Sequence, residues 1–338
     1  MGMGRPPLLV SLLLLQPTSL RGRPFTFDNG VTIARPHASQ LRRYESGGLR
    51  LHEPEEERWF VDLLFEATAG SVLVNIGAAA GYYALLALRY RPPLAVVALN
   101  PHPAFQAELR ENAAAASVAV ADASSPSDPA AIPRSGGILQ LGCALADSAK
   151  SGYMGGGYGT TMDASAKSAA RDIEVRQARS SWSTAHPAAI ARAATASATR
   201  RTASNHSAEG RLAELVGRVV QVRSVSLSDV LDRISPSPRR VFMATFDIQG
   251  FETQVFASDD TRQLLRAQRI ERLLVGTHSA AAHREVLGAL SQARFVVLYN
   301  ESAVAGQPDG LIVAVNSAVA TRRALTSIAA ATRKSHAG

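Results

Sequence analysis

Cysteine is nearly absent from this chain of 338 residues, in which Cys143 is the only one. A single thiol cannot form an intrachain disulfide, so the fold is not held together by cystines. It also cannot build a metal site from several cysteines, and no metal site is predicted. We expect Cys143 to be a buried and unreactive thiol.

Acidic residues are missing from both ends of the chain. None occurs in the first 27 residues or after Asp309, and the net charge of +8 is carried mainly by arginine. Basic tails are usually solvated, and the arginine-rich middle of the chain has Trp182 but few other aromatic residues that could stack on nucleotide bases. Nucleic acid is therefore not the expected partner, although a protein that binds or modifies nucleic acid stays open as an alternative.

The apolar run Leu8–Leu15 is too short to span a bilayer, which takes roughly 20 apolar residues, and no transmembrane span is predicted. Arg5 precedes this run, and small and polar residues follow it at positions 16–19. A charged start, an apolar centre and a small-residue exit are typical of a secretory signal. We expect residues 1–22 to direct the chain to the secretory pathway or to an organelle; otherwise the protein would be cytoplasmic.

The stretch Ser71–Tyr83, SVLVNIGAAAGYY, organises the rest of the sequence. Its apolar run from Val72 to Ile76 predicts a buried parallel strand. Gly77 ends the run, small residues continue to Gly81, and a helical apolar pattern follows. Strand, glycine turn and helix form the start of a Rossmann-like unit, in which the backbone approaches a ligand at the carboxyl end of the first strand.

Predicted strands and helices alternate along most of the chain. Apolar runs predict seven strands, with helices between the first five, at 72–76, 94–99, 137–146, 241–246, 272–276, 295–298 and 311–315. The last two form an antiparallel pair, and a short additional strand is predicted at 219–222. This alternation predicts an α/β fold with a Rossmann-like, seven-stranded, mostly parallel sheet and helices on both faces.

Connecting segments are predicted from turn residues and low complexity. An Asn-Gly turn predicts a small hairpin across Asp28–Gly30, and residues 115–135 and 152–161 are predicted loops. Met162–Gly210 is dominated by Ala, Ser, Thr and Arg without a sustained apolar period, which is typical of disorder. We therefore predict an N-terminal extension at 23–52, a main domain at 53–317 with a low-complexity insertion at about 147–210, and a basic tail at 318–338.

Three stretches carry a family resemblance: VNIGAAAGYY at 74–83, LNPHPAFQAELREN at 99–112 and FDIQGFE at 246–252. Together with LSDVL at 227–231 and LLVGTHS at 273–279, they resemble the FkbM-type methyltransferases that use S-adenosylmethionine. The resemblance covers about Glu53 to Val315 apart from the insertion. It implies a class I methyltransferase fold, S-adenosylmethionine as cofactor, and methylation of a hydroxyl group on a small molecule or a glycan.

The resemblance also implies a set of site residues. Gly77 and Gly81 would shape the turn around the methionine part of the cofactor, and Asn100 would meet the ribose hydroxyl groups. Asp247 would lie near the methyl-transfer site, with His278 on the same rim. The expected cofactor-binding set is completed by Asn75, Ala78, Tyr82 and Gln249.

Three positions depart from the family pattern, because Asn75, Asn100 and Gln249 stand where members usually carry a carboxylate. An amide still accepts a hydrogen bond, but it loses the stronger charge-assisted bond to a hydroxyl group. The sequence therefore predicts an enzyme with weakened cofactor binding. The alternative is a catalytically inactive relative that keeps the fold for binding.

His278 is the expected general base, since its reference pKa lies near neutrality. Asp247 could orient the acceptor or bind a metal ion, and its alternative role is a cap on the helix that starts at Gly250. The alternative for His278 is a structural imidazole at a strand end. A nicotinamide dehydrogenase fits poorly, because Gly77-x-x-x-Gly81 does not match the Gly-x-Gly-x-x-Gly fingerprint.

Overall fold

The computed structural model describes residues 24–34, 50–123, 136–145, 151–155, 219–234, 240–302 and 309–324. Its strands are β1 (Phe25–Thr26), β2 (Thr32–Ile33), β3 (Val72–Ile76), β4 (Ala95–Leu99), β5 (Ala119–Ala123), β6 (Gly137–Leu141), β7 (Cys143–Leu145), β8 (Ser151–Gly155), β9 (Val219–Val225), β10 (Met243–Phe246), β11 (Arg272–Thr277), β12 (Val296–Glu301) and β13 (Gly310–Val315). Its helices are α1 (Pro54–Leu64), α2 (Tyr82–Tyr90), α3 (Pro103–Ala115), α4 (Leu227–Ile234), α5 (Glu252–Ala257), α6 (Asp259–Arg266) and α7 (Ala280–Gln292), with a further helical stretch at 317–324. None of these helices combines the length and the apolar composition that crossing a membrane requires.

Eight strands form the central sheet in the order β12-β13-β11-β10-β3-β4-β6-β5. All neighbours run parallel except β13, which lies antiparallel to β11 and β12. The expected mostly parallel α/β sheet is confirmed, with eight strands instead of seven. The extra strand β5 lies within the predicted loop at 115–135. Its sequence, AVADA, has weak strand propensity, and only pairing with β6 at the sheet edge orders it.

A second, three-stranded sheet has the order β7-β9-β8. The single strand predicted at 137–146 breaks at Gly142 into β6 and β7, which belong to different sheets. The predicted short strand at 219–222 is the start of β9, and β9 pairs with β8, so the prediction of a loop is wrong for residues 152–155. The rest of that loop, most of the predicted insertion at 147–210, the segment 1–22 and most of the tail at 318–338 lie outside the described residues.

The carboxyl ends of four parallel strands meet at one edge of the central sheet. Ile76 at the end of β3 is in register with Leu99 at the end of β4 and with Phe246 at the end of β10. Phe246 is in turn in register with Val275 of β11. Ligands of open α/β sheets bind at this edge, and the residues that follow these four strands lie there.

Helices cover both faces of the central sheet, as expected. Leu73 and Val74 are adjacent on β3 and fully buried, yet they belong to different apolar clusters. The cluster of Leu73 includes Phe60 of α1 and Leu86 of α2, whereas the cluster of Val74 includes Leu231 of α4. Because successive side chains of a strand point to opposite faces, α1 and α2 lie on one face and α4 on the other.

The single cysteine belongs to this core. Cys143 in β7 is fully buried, and burial raises the pKa of its thiol to about 12. The thiol therefore stays protonated at neutral pH, and a protonated thiol is a poor nucleophile. The expectation of a buried cysteine is confirmed, and its lack of reactivity stays a prediction.

The predicted N-terminal hairpin forms, and one buried carboxylate fastens it to the main domain. β1 and β2 pair antiparallel. The buried Glu57 of α1 accepts hydrogen bonds from the Asn29 amide at 2.8 Å and from the Tyr82 hydroxyl at 2.6 Å. The Asn29 amide also donates to the Tyr82 oxygen at 2.6 Å. These bonds tie the turn of the hairpin to the first residue of α2.

Tyr82→Phe should therefore destabilise the fold, because it removes a hydroxyl that donates to a buried carboxylate. A hydrogen bond to a charged group contributes about 1.5–3 kcal/mol, and we expect a loss of that size in urea unfolding. Tyr90→Phe is the matched control on the same helix, since Tyr90 is 38% exposed, and it should change stability by at most about 0.5 kcal/mol. Equal losses in the two variants would contradict the role given to the Tyr82 hydroxyl.

Candidate functional site

A tight turn follows β3 at residues 77–81. Gly77 and Gly81 have φ angles of +82° and +86°, and a Cβ added at Gly77 would overlap the backbone carbonyl oxygen of Asp247. The backbone N–H groups of Gly77 and Ala78 donate to the Leu99 carbonyl at 3.2 and 3.1 Å. The turn is thus joined to β4 by hydrogen bonds and to the end of β10 by a contact that only glycine allows.

Two buried amide side chains hold the carbonyl groups of this turn. Asn100 follows β4, and its Nδ2 donates to the Ala79 carbonyl at 2.6 Å. Asn112 of α3 donates to the Ala80 carbonyl at 2.7 Å, and its Oδ1 accepts from the Ala34 backbone at 2.8 Å. Only a donor can bind a carbonyl oxygen, so the amide at position 100 makes a contact that a carboxylate could not make.

The amides at positions 75 and 249 also act as donors. Asn75 Nδ2 donates to Thr245 Oγ1 at 2.8 Å, from the register position opposite it on β10. Asn75 is 3% exposed, and its Oδ1 accepts no hydrogen bond from any described residue. Gln249 Nε2 donates to Asp247 Oδ1 at 2.8 Å. A carboxylate at position 249 would instead place a like charge beside Asp247.

His278 follows β11 and lies among three carboxylates. Its Nδ1 donates to Glu252 Oε1 at 2.9 Å, and its Nε2 lies 3.3 Å from Asp247 Oδ1 and 3.5 Å from Asp309 Oδ1. Glu252 is fully buried, and its Oε1 also accepts from two backbone N–H groups of the loop after β10. This buried carboxylate therefore fixes His278 and the loop that carries Asp247 and Gln249.

The surrounding carboxylates keep His278 protonated. Burial alone would lower its pKa, but the hydrogen bonds and the charges of Asp247 and Glu252 outweigh that effect and raise the pKa to about 10. At neutral pH the ring is therefore an imidazolium, which cannot accept a proton. The geometry does not favour the expected general-base role of His278 and instead pairs this cation with Asp247.

A cavity of about 50 Å³ opens beside the glycine turn. Five of the nine expected site residues line it: Asn75, Gly77, Ala78, Tyr82 and Asp247. The other four hold residues that line it: Gly81 donates to the Ala78 carbonyl, Asn100 to the Ala79 carbonyl, and Gln249 and His278 contact Asp247. The contact of Asn100 with a ribose therefore stays a prediction, since Asn100 is not among the lining residues.

Sequence reasoning missed several residues of the site. Glu252 and Asn112 are the last residues of the motifs at 246–252 and 99–112, so the motifs did contain a signal for both. No sequence signal pointed to four further residues that line the cavity, Phe27, Ile33, His52 and Glu56. For Glu56 the reason is that an acidic residue in a first helical turn ordinarily complements the helix dipole.

Gly77→Ala tests the contact between the glycine turn and the loop after β10. We expect it to destabilise the fold by more than the roughly 1–2 kcal/mol of left-handed backbone strain, because the new methyl group must push the Asp247 backbone away. Gly70→Ala is the matched control, since Gly70 has a similar φ of +78° and nothing within 4 Å of an added Cβ. Thermal unfolding compares the two, and equal shifts of Tm would show that the contact does not matter.

His278→Gln tests the ion pairs of the imidazolium. The folded pKa of about 10 lies above the reference value of 6.5, so the stabilisation is complete below about pH 6.5 and is lost as the pH rises through about 10. We expect the variant to lose about 3 kcal/mol at pH 6 and clearly less at pH 9.5, measured by urea unfolding. His283→Gln is the control for losing a buried imidazole, because His283 contacts Thr277 and Asn300 and no carboxylate. A loss for His278→Gln that does not change with pH would contradict the ion pairs.

Three solved structures resemble parts of this chain. A precorrin-6y C5,15-methyltransferase from Geobacter metallireducens is 10% identical, covers 79% of this chain and 90% of that chain, and has a TM-score of 0.35. The fibrillarin pre-rRNA processing protein of Methanococcus jannaschii is 8% identical, covers 73% and 67%, and has a TM-score of 0.33. An O-methyltransferase family protein from Burkholderia thailandensis is 11% identical, covers 82% and 63%, and has a TM-score of 0.29.

No curated protein matches the chain. The model of the methyltransferase FkbM domain family matches residues 75–297, a range that begins at Asn75 and includes the glycine turn, Asn100, Asp247 and His278. The expected resemblance is confirmed by this match. Because it spans more than half of the sequence, the chain belongs to the methyltransferase FkbM domain family.

Proposed function

We propose that this protein is an S-adenosylmethionine-dependent methyltransferase that methylates a hydroxyl oxygen of a small molecule or a glycan. The observation that carries the proposal is the contact between Gly77 and Asp247, which places the glycine turn and the loop after β10 around one cavity. Both segments belong to the motifs of the family, and both follow parallel strands at the edge where open α/β sheets bind ligands.

The polar groups of the cavity suit the amino-acid end of S-adenosylmethionine, which carries an ammonium, a carboxylate and a sulfonium. Asn75 Oδ1 is a buried acceptor without a donor among the described residues, and such a group costs stability until a donor satisfies it. The carboxyl groups of Glu56 and Asp247 line the same cavity, and a cation there would offset the repulsion between them. A cavity of about 50 Å³ holds about three to five water molecules, which is room for the amino-acid end of the cofactor.

The chain's own contribution would be alignment, exclusion of water and removal of a proton. S-adenosylmethionine supplies, when bound, a methyl group that its sulfonium makes electrophilic. The Asp247 side chain is 33% exposed, which allows its carboxylate to orient an acceptor hydroxyl and to take its proton. Gln249 and the His278 imidazolium hold Asp247 through Oδ1. We therefore assign the base to Asp247 and a positioning role to His278.

Calorimetry with the full chain tests the cofactor. Titration with S-adenosylmethionine and with S-adenosylhomocysteine should give saturable binding for both, because they share the adenosine and the amino-acid end. Gly77→Ala serves as the comparison, and it should bind neither. Absence of heat from both ligands at millimolar concentration with the unchanged chain would overturn the proposed function.

Asp247→Asn tests the chemistry. We expect the variant to bind S-adenosylhomocysteine within about tenfold of the unchanged chain and to lose methyl transfer by about 100-fold or more, the contribution of a general base. Asp122→Asn is the control, because Asp122 lies on the edge strand β5 and its side chain is 50% exposed. The measurement is transfer of labelled methyl from S-adenosylmethionine to a panel of alcohols, glycans and RNA.

The acceptor panel also separates the rival functions. Transfer to RNA and not to alcohols or glycans would contradict the proposed acceptor. Cofactor binding without transfer to any acceptor would favour an inactive binding protein. Full activity of Asp247→Asn would remove Asp247 from the reaction.

A further inference from the structure

One wall of the cavity is acidic and comes from α1, outside the strand ends that build the rest of the site. Glu56 of α1 lines the cavity, and Asp247 lines it as well. Glu56 lies beside Glu53 and the Tyr83 hydroxyl, and that hydroxyl donates to Glu53 Oε2 at 3.2 Å. Two carboxyl groups therefore line one small space, and a third touches Glu56.

Two histidines lie beside these carboxyl groups. His52 Nε2 lies 3.9 Å from Glu53 Oε2, and the His278 imidazolium behind Asp247 is shared with two other carboxylates. Burial raises the pKa of Glu56 well above its usual range, and the charges of Glu53 and Asp247 add to that effect, which the hydrogen bond from Tyr83 opposes. Glu56, Glu53 and Asp247 therefore repel one another when they are ionised, and a positively charged ligand would relieve this repulsion.

Asn75 gives an independent indication of a ligand at the same place. It lines the cavity and is 3% exposed, and its Oδ1 is buried without a hydrogen-bond partner in the described part of the chain. Its Nδ2 is already used by Thr245, so the group that completes Asn75 must be a donor. A cationic N–H group would satisfy this oxygen and the acidic wall together.

The remaining wall is aromatic. Phe27, Tyr82 and Tyr83 line the cavity, with ring centroids 4.7 Å apart for Phe27 and Tyr82 and 5.4 Å apart for Tyr82 and Tyr83. Aromatic faces attract cations, and they exclude the water that would otherwise screen the carboxylates. The walls are thus complementary to an organic ammonium group.

We propose that Glu56 binds the ammonium group of the amino-acid end of S-adenosylmethionine, with Asn75 Oδ1 as its second acceptor. This inference rests on the proposed function and adds a binding residue from outside the strand ends. It also gives the site a carboxylate for the cofactor although positions 75, 100 and 249 are amides. A neutral amide at position 56 could still accept a hydrogen bond but would lose the charge assistance.

Calorimetry of Glu56→Gln tests the proposal. We expect the variant to bind S-adenosylmethionine and S-adenosylhomocysteine about tenfold more weakly, which corresponds to about 1.4 kcal/mol, because both ligands carry the ammonium. 5′-Methylthioadenosine lacks the amino-acid end, and its affinity should change by less than about twofold. Glu55→Gln is the control, since Glu55 is the exposed neighbour on α1 and does not line the cavity.

The pH profile separates ligand contact from a merely structural role. Protonation of Glu56 should weaken binding of S-adenosylmethionine to the unchanged chain as the pH falls from 7.5 to 5, and Glu56→Gln should flatten this dependence. The titratable side chains beside Glu56 include Glu53, Tyr83 and Asp247, His52 lines the same cavity, and the Glu55→Gln control retains all four.

The outcomes distinguish this inference from the function on which it rests. Unchanged affinity of Glu56→Gln for S-adenosylmethionine, or an equal loss for 5′-methylthioadenosine, would overturn the role of Glu56 while leaving the cofactor assignment intact. A pH profile of Glu56→Gln as steep as that of the unchanged chain would also overturn it. Failure of the unchanged chain to bind S-adenosylmethionine would instead overturn the proposed function.

Discussion

The close approach of Gly77 to the carbonyl oxygen of Asp247 is the constraint on which the rest of the site depends. It continues the parallel pairing of β3 with β10 beyond the last residues of the strands, where the Asp247 N–H donates to the Ile76 carbonyl at 3.0 Å. Any side chain at position 77 would separate these strand ends. The turn that shapes the cavity and the loop that carries Asp247 therefore form one unit, because they can meet only if position 77 has no Cβ.

The amide side chains of Asn75, Asn100 and Gln249 are part of this unit. Each uses its N–H₂ group as a donor: Asn75 to the Thr245 hydroxyl, Asn100 to the Ala79 carbonyl, and Gln249 to Asp247 Oδ1. A carboxylate has no such donor at neutral pH. The amides therefore make contacts that hold the turn, the first strand and Asp247, and that carboxylates at these positions could not make.

Apolar periodicity was sufficient for the sheet, because its central strands are buried on both faces and read as continuous apolar runs, as at Val72–Ile76. Apolar periodicity did not predict β5, because this edge strand consists mostly of Ala and Asp and is paired with β6. Motif order likewise placed Gly77 and Asp247 at one cavity. Motif order could not reveal the pKa of His278 or the position of Glu56 at the cavity, since both depend on residues that are distant in sequence and meet only in the fold.

Asp247 links two charged parts of the site. Asp247 contacts the His278 imidazolium, which the buried Glu252 holds, and it lines the cavity together with Glu56. A cation that enters the cavity would place Asp247 between two positive charges. Both charges would attract the Asp247 carboxylate and help to hold it where an acceptor hydroxyl can reach it. Cofactor binding would therefore also position the proposed base, and Glu56 would contribute to the reaction through the ammonium that it binds.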